Sequence, residues 1–462
     1  MTELPYSMPI VINNGMLIGH AVSIFVENDH ALLQLKRALD WDAIREVMVK
    51  CWRKSGKNID GGPGCSWPVS LYVPLLVLKI VKGYGNREME MYLRENVVAR
   101  LFISMEEELM PQIRDHSNIN RAETALGEEG MKEINCLIVR EATKFGFADP
   151  KILSGDTTAQ ELRIGYPNEP GILKGVAERC VRALKKLKKK GVEGVESGVE
   201  KARRVIKSVK EHHLFAKKKE EKESLLRRII EETQDLLEDC QKVVGEVGET
   251  TDAVKQKALE KLNAMKELSA RLIPQIISWM ETGIVSKGKI LHAGIPKSRS
   301  IVRNKAGKKI EFGFQYLINK IGMGYIFGDL ILSPTKESAM PIGTLSSYQE
   351  IFGKESVPEL LVYDRGGHAK KTLEYLKNAG IEKIGIQPKG KAKWLVSEED
   401  QKTVISQRGQ TEGSIGTLKS KRYGFNKPLE RKEDTIQMAG QRSILSFNLN
   451  KFMKDLVQKG KK

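Results

Sequence analysis

ELLVYDRGGHAKKTLEYLKNAGIEKIGIQ, residues 359–387, carries the alternation on which the fold turns. Glu359–Tyr363 is a short apolar run that stops at Asp364 before a Gly-Gly turn, and it predicts a buried strand. Lys370–Ala379 spaces its apolar residues at the helical period, and Lys383–Gln387 returns to a strand. Working outward, Ser346–Phe352 reads as a short helix before this segment and Gly409–Lys419 as the start of a final helical region. Upstream, Ile310, Phe312, Phe314, Tyr316 and Ile318 alternate strictly after a turn at Ala306-Gly307-Lys308. Gly324–Ser333 is a further strand candidate, and Ile152–Ser154 a short buried strand before Asp156. Strands and helices in this order predict an α/β arrangement around one mixed sheet.

The first 150 residues read differently. Ala31–Trp52 has helix-period apolar positions, broken by Gly61-Gly62-Pro63-Gly64. Ser70–Lys82, Arg87–Glu95 and Ser117–Phe145 supply more helices, closed by the loop GFADP. From about Lys174 to Met280 the chain is Lys/Glu-rich, nearly Pro-free and helical in pattern. Leu226, Ile230, Thr233, Leu237, Cys240, Val244 and Val247 alternate spacings of four and three, as do Ala258, Leu262, Met265, Leu272, Ile276 and Trp279 after a polar turn. Two such seams predict an antiparallel helical hairpin or coiled coil, packed internally or against a second copy. The run Lys185, Lys186, Lys188, Lys189, Lys190 and the glycines at 191, 194 and 198 mark its upstream part as bent or frayed, with a solvated charged face.

Charge narrows the function. Of 462 residues, 77 are Lys or Arg and 59 Asp or Glu, a net charge of +18 that suits a polyanion, DNA or RNA before membrane. Cysteines 51, 65, 136, 180 and 240 form no CxxC pair and have no histidine at zinc spacing, which argues against a disulfide framework and a structural zinc. The N-terminus lacks signal-peptide features, and the most apolar stretch, Val69–Val81, is too short to span a bilayer. A soluble, cytoplasmic protein is expected.

Three acids stand in distinctive settings: Asp156 in LSGDTTAQE, Asp364 in LLVYDRGGH and Glu412 in RGQTEGSIGTLK. Cutting and joining a phosphodiester requires an acidified nucleophilic oxygen and a neutralised leaving oxygen, which two divalent ions held by converging carboxylates provide. Mg²⁺ takes hard oxygen ligands of this kind. Each acid alone is weak evidence, because an Asp closing a strand is more often a cap. Asp329 is a rival for the middle position, and His368 is nearer a helix cap than a general base. Arg408, Glu412 and Lys419 fall along one side of a helix, where the cations can clamp phosphate oxygens; an exposed ion-pair ladder explains those charges but not Gly413, Gly416 and Gly424 beside them.

These motifs resemble those of bacterial insertion-sequence transposases of the DDE type, whose catalytic domain is RNase H-like. LKRALDWDAI and VPLLVLKIVKGYGNREMEMYL are similar to the N-terminal helical region of that family, and IRDHSNINR to the segment before the first catalytic strand. SGDTTAQE and VYDRGGHA resemble its two Asp motifs, VRNKAGKKIEFGFQ its basic hairpin, RGQTEGSIGTLKSKRYG its Glu motif and SFNLNKF its terminal helix. Ile405 stands where the Glu motif usually has Tyr, a departure from the pattern.

The resemblance implies an N-terminal helical, DNA-binding domain over 1–150 and an RNase H-like catalytic domain over 151–173 and 284–450, interrupted by a helical insertion at 174–283 and followed by a basic tail at 451–462. It makes Asp156, Asp364 and Glu412 catalytic ligands of Mg²⁺ (or Mn²⁺) and Arg408 and Lys419 DNA contacts. It further implies double-stranded DNA partners, namely transposon inverted repeats and target DNA, and a homodimer on DNA. A metal-dependent nuclease and a catalytically inactive DNA-binding relic are the alternatives.

Overall fold

The computed structural model describes residues 29–56, 69–103, 115–305, 308–333, 335–388, 390 and 393–460. The described residues open with helices α1 (Ala31–Ala38), α2 (Trp41–Lys54), α3 (Val69–Lys82), α4 (Asn86–Glu95), α5 (Val97–Ile103) and α6 (His116–Lys144), then strand β1 (Asp149–Glu161). Four long helices follow: α7 (Glu169–Lys189), α8 (Glu196–Phe215), α9 (Lys219–Val247) and α10 (Ala253–Thr282). Next come β2 (Arg299–Lys305), β3 (Lys308–Gly322), β4 (Ile326–Ile331) and α11 (Met340–Phe352). The chain closes with β5 (Leu360–Tyr363), α12 (Lys370–Asn378), β6 (Lys383–Ile386), α13 (Glu398–Leu418) and α14 (Glu433–Lys459). Two compact units result, one of residues 1–158, 316–428 and 434–462, the other of 159–315 and 429–433.

In the first unit, local chemistry sets the helix ends. The expected helix over Ala31–Trp52 is two helices, because the Asp40 carboxylate accepts the Ala43 N–H and starts α2 anew. Asp115 caps α6 in the same way through the Ser117 N–H. Val69–Val81 is a buried helix, and among the described residues no helix is long and apolar enough to cross a membrane. The glycine-rich break at 61–64 and the turn at 306–307 lie outside the described residues.

The sheet of this unit is mixed. β1 pairs with β5 and β5 with β6, both parallel, while β3 flanks β1 on the other side and carries β4. Gly322 lies against Asp149 and Asn319 against Gly155, so β3 runs antiparallel to β1. Helix α14 crosses this core as a polar strap. Its Ser446 and Asn450 side chains donate to the Ile80 and Val81 carbonyls at the end of α3, and Asn448 bonds both Asn135 on α6 and the Ile326 backbone on β4. The Ser446 and Asn450 bonds reach carbonyls in the last turn of α3, where a helix terminus leaves acceptors open. The expected basic tail from 451 is instead the last turns of α14, with Phe452 and Leu456 buried, because its apolar positions continue the helical period. A buried ion cluster joins α3, α6 and α14: Lys79 Nζ lies 2.7 Å and Arg442 Nη1 3.1 Å from the Glu123 carboxylate.

In the second unit, α7 to α10 pack around one apolar core that includes Leu173, Leu184, Val205, Ile229, Leu262 and Ile276. The two seams seen in the sequence are therefore half of a four-helix arrangement, packed internally against α7 and α8. The stretch is not helical throughout: residues 191–195 form a turn, with Gly191 at φ 76° and Gly194 at φ 73°, while Gly198 sits inside α8 against Leu184. β2 and the beginning of β3 form an antiparallel ladder from Arg299↔Gly313 to Lys305↔Lys308.

Candidate active site

Asp156 and Asp364 reach the same level of the sheet. β1 and β5 pair in parallel with Ile152 opposite Leu360 and Ser154 opposite Val362. Asp156 stands four residues beyond Ile152, as Asp364 does beyond Leu360, so the register carried forward sets Asp156 on β1 level with Asp364, the first residue past the end of β5. Neighbouring strands are about 4.8 Å apart. Both residues are half-buried. Asp364 also caps the short turn Arg365–Gly367, its Oδ1 accepting the Gly366 N–H at 2.9 Å, and Asp156 Oδ1 accepts the Thr157 N–H at 2.7 Å. The capping role and the paired placement thus coexist in one residue.

Helix α13 docks beside them. It begins at Glu398, eleven residues before the expected start at Gly409, and is capped by Ser397, whose hydroxyl accepts the Asp400 N–H. Thr411 Oγ1 donates to Ser154 Oγ at 2.8 Å, fastening α13 to β1 two residues before Asp156. Lys320 Nζ, reaching from β3, bonds Gln407 Oε1 at 2.6 Å and lies 3.5 Å from Gln410 Oε1. Arg408 is half-buried and Glu412 exposed on this helix, and Lys419 follows it as the C-cap residue. Gly409, Gly413 and Gly416 lie along its outer side, and a Cβ at any of them would meet nothing within 4 Å.

The electrostatics follow from burial. Tyr363 immediately precedes Asp364 at the end of β5; burial first, then the charges of Asp156, Asp364 and Glu337, pushes its phenol far above the usual tyrosine range. Glu337 was not singled out by any motif. Its side chain lies over Gly366, where a Cβ would come within 2.8 Å of it, and only the folded chain brings it to the Asp pair. Burial alone lowers the Lys320 amine to about 8.

The rival acid has another task. Asp329 on β4 pairs with Lys132 at 2.5 Å and accepts a hydrogen bond from Ser347. His368 follows the turn at 365–367, its backbone N–H on the Arg365 carbonyl. Among the described residues, no three His, Cys, Asp or Glu side chains are grouped closely enough to hold a metal ion. The structure therefore brings Asp156 and Asp364 together in register and leaves Glu412 outside a single cluster with them.

Comparison with known proteins bears on the N-terminal helices. Residues 20–124 match the family model described as Transposase domain (DUF772), which takes in α1 to α5 and the start of α6. No curated protein and no solved structure matches the chain. On these grounds the chain carries a transposase domain over residues 20–124, in keeping with an insertion-sequence transposase.

Proposed function

We propose that the protein is a DNA transposase of the DDE type, with an RNase H-like catalytic domain, which cleaves and joins DNA at the ends of an insertion sequence. The observation that carries this reading is the shared level of Asp156 and Asp364 at adjacent parallel strands. It is supported by the transposase domain at residues 20–124 and by the net charge of +18. Ligands of α/β sheets bind outside the carboxyl ends of strands where the chain path reverses, and β1 stands at such a point, between antiparallel β3 and parallel β5.

Asp156 and Asp364 are the proposed ligands of Mg²⁺ (or Mn²⁺), whose preference for hard oxygens they meet, and Glu412, which stands outside a cluster with them in this structure, is the proposed third. A bound ion pair would acidify the attacking oxygen and neutralise the leaving one. The chain's own contribution is position: the two strands fix the Asp pair, and the Thr411–Ser154 bond holds the Glu412 turn against β1. Arg408 and Lys419 take phosphate oxygens of double-stranded DNA at the inverted repeat. Three glycines in one helix cost about 1 kcal/mol each relative to alanine, and no packing in the structure requires Gly409, Gly413 or Gly416. A side bare of side chains next to Glu412 lets a nucleic-acid backbone approach closely. Two DNA ends must be held together for joining, so a homodimer on DNA belongs to the proposal.

Labelled duplexes with the element's ends, incubated with Mg²⁺, test it. Joined products are expected, with Asp156→Ala, Asp364→Ala and Glu412→Ala each losing chemistry while keeping DNA binding. Cleavage without joining would make the protein a nuclease, and binding without chemistry an inactive relative. Full activity in any one variant would remove that residue from the set.

A further inference from the structure

The helical unit carries a concentrated cationic patch on two of its four helices. Arg182 and Lys186 lie one turn apart on α7, and Lys257 and Lys261 one turn apart on α10. α7 and α10 pack against one another around the core of the unit. Lys190, just past the end of α7, pairs with Asp252, the cap of α10, at 3.0 Å, so the two helices run antiparallel. Lys186 and Arg182 are four and eight residues back from Lys190, and Lys257 and Lys261 are five and nine on from Asp252, so the pairs face each other across the groove between the helices. Lys432, in the short segment 429–433 of the same unit, joins them.

All five residues are exposed. Lys186, Lys257 and Lys261 make no ion pair among the described residues, and Arg182 has Glu178 at 3.3 Å. Their proximity is felt at Lys261, whose amine is held below the usual lysine range by partial burial and then by the charges of Lys186, Lys432, Lys257 and Arg182. Elsewhere on the unit, exposed cations are commonly matched. Lys188 pairs with Glu196, Arg204 with Glu200 and Arg228 with Glu232. Like charges gathered in one groove, with Lys186, Lys257 and Lys261 lacking a carboxylate partner among the described residues, repel one another, a cost that a row of phosphates removes.

We propose that the α7/α10 groove, through Arg182, Lys186, Lys257, Lys261 and Lys432, is a binding surface for the phosphate backbone of double-stranded DNA, separate from the Asp156/Asp364 site. The surface reads no bases, because cations on a smooth helix groove contact phosphates only. It assigns the helical insertion a share of DNA affinity. The proposal rests on DNA being the partner of this protein and does not depend on its chemistry.

The test is binding of the full chain to a labelled 30-base-pair duplex of arbitrary sequence, without divalent metal, over a range of salt concentrations. Each phosphate contact contributes about 0.9 to the slope of log affinity against log salt. The triple variant Lys186→Gln/Lys257→Gln/Lys261→Gln should flatten the slope by about 2 to 3 and weaken binding at least tenfold at 0.1 M salt. A control triple, Arg203→Gln/Lys210→Gln/Arg227→Gln, removes the same charge from exposed positions of α8 and α9 and should change the slope by less than about 1. Equal losses in the two triples would mean that net charge alone binds DNA and would overturn the assignment, as would an unchanged slope in the first. A first triple that lost binding to phosphatidylserine vesicles while keeping the duplex would make the groove a membrane surface instead. Asp156→Ala should bind like the parent. Patch-dependent binding in a protein with no strand-transfer activity would leave this surface standing and refute the catalytic reading alone.

Discussion

Lys320 offers a measurement in which sign and size both follow from one buried group. Its side chain is fully enclosed, with two glutamine carbonyls near its amine, and burial lowers its pKa. A fall from 10.5 to about 8 corresponds to about 3 kcal/mol of cost for carrying the charge in the folded state. The cost is fully present below pH 8 and is relieved as pH rises toward 10.5, because over that window the unfolded chain holds the proton and the folded one does not. Lys320→Met removes the charge and also the hydrogen bond to Gln407, worth about 1 kcal/mol. At pH 7 the variant should therefore be more stable than the parent by about 2 kcal/mol. Near pH 10.5 it should be less stable by about 1 kcal/mol. Urea unfolding of both proteins at the two pH values, followed by tryptophan fluorescence, gives the crossover as a difference in which other titrating groups cancel. A variant that is less stable than the parent by the same amount at both pH values would show that the amine is compensated in the fold, and would refute the reasoning.

Further outcomes are open to direct measurement. In Gly155→Ala the new methyl would stand 2.4 Å from Thr344 Oγ1 and 2.9 Å from Asn319 Oδ1, so overpacking should cost about 1 to 3 kcal/mol and lower the melting temperature; pairing it with Thr344→Ser should leave the loss in place, since the nearest oxygen remains. Burial alone would raise the Glu123 carboxyl, but Lys79 and Arg442 hold it below its ordinary value, so its stabilisation is present above about pH 4.5 and lost as pH falls through the lower folded value. Glu123→Gln should destabilise by about 3 to 5 kcal/mol at pH 7 and narrow the gap from the parent in acid; a constant gap across pH would count against the ion cluster. Thr411→Val breaks the bond to Ser154, and a drop in melting temperature of a few degrees, from about 1 kcal/mol, is the expected sign that α13 is held there.

Legibility in the sequence tracked how local the deciding forces are. Strands β3, β5 and β6 announced themselves because strict alternation or a bounded apolar run is a property of a few adjacent residues. The seams of α9 and α10 were equally plain, yet nothing in them says that α7 and α8 complete their core. Asp40 was hidden for the opposite reason: an acid within a helical period reads as surface until its carboxylate is seen capping Ala43. For the site, the motifs named Asp156 and Asp364, and the pairing of β1 with β5 makes them neighbours across more than two hundred residues. Glu337 and Lys320 carry no motif, and their relevance arises from tertiary packing around Tyr363 and α13.

The strand ends around the helical insertion have a consequence for how such a protein can change. The Leu162 N–H donates to the Phe312 carbonyl at 2.9 Å, so the insertion leaves and returns to the chain one hydrogen bond apart. To the pairing of β1 with β3, the long segment between those residues is a hairpin connection, of which β2 and the start of β3 rejoin the sheet. Closing a loop costs only about 0.6 kcal/mol more for each doubling of its length, so the sheet is nearly indifferent to what is spliced there. Duplication, replacement or trimming of the bundle can proceed by ordinary insertions and deletions without disturbing the register of Asp156 and Asp364. The segment is free to diversify at the pace of a loop while the strands beside it are held.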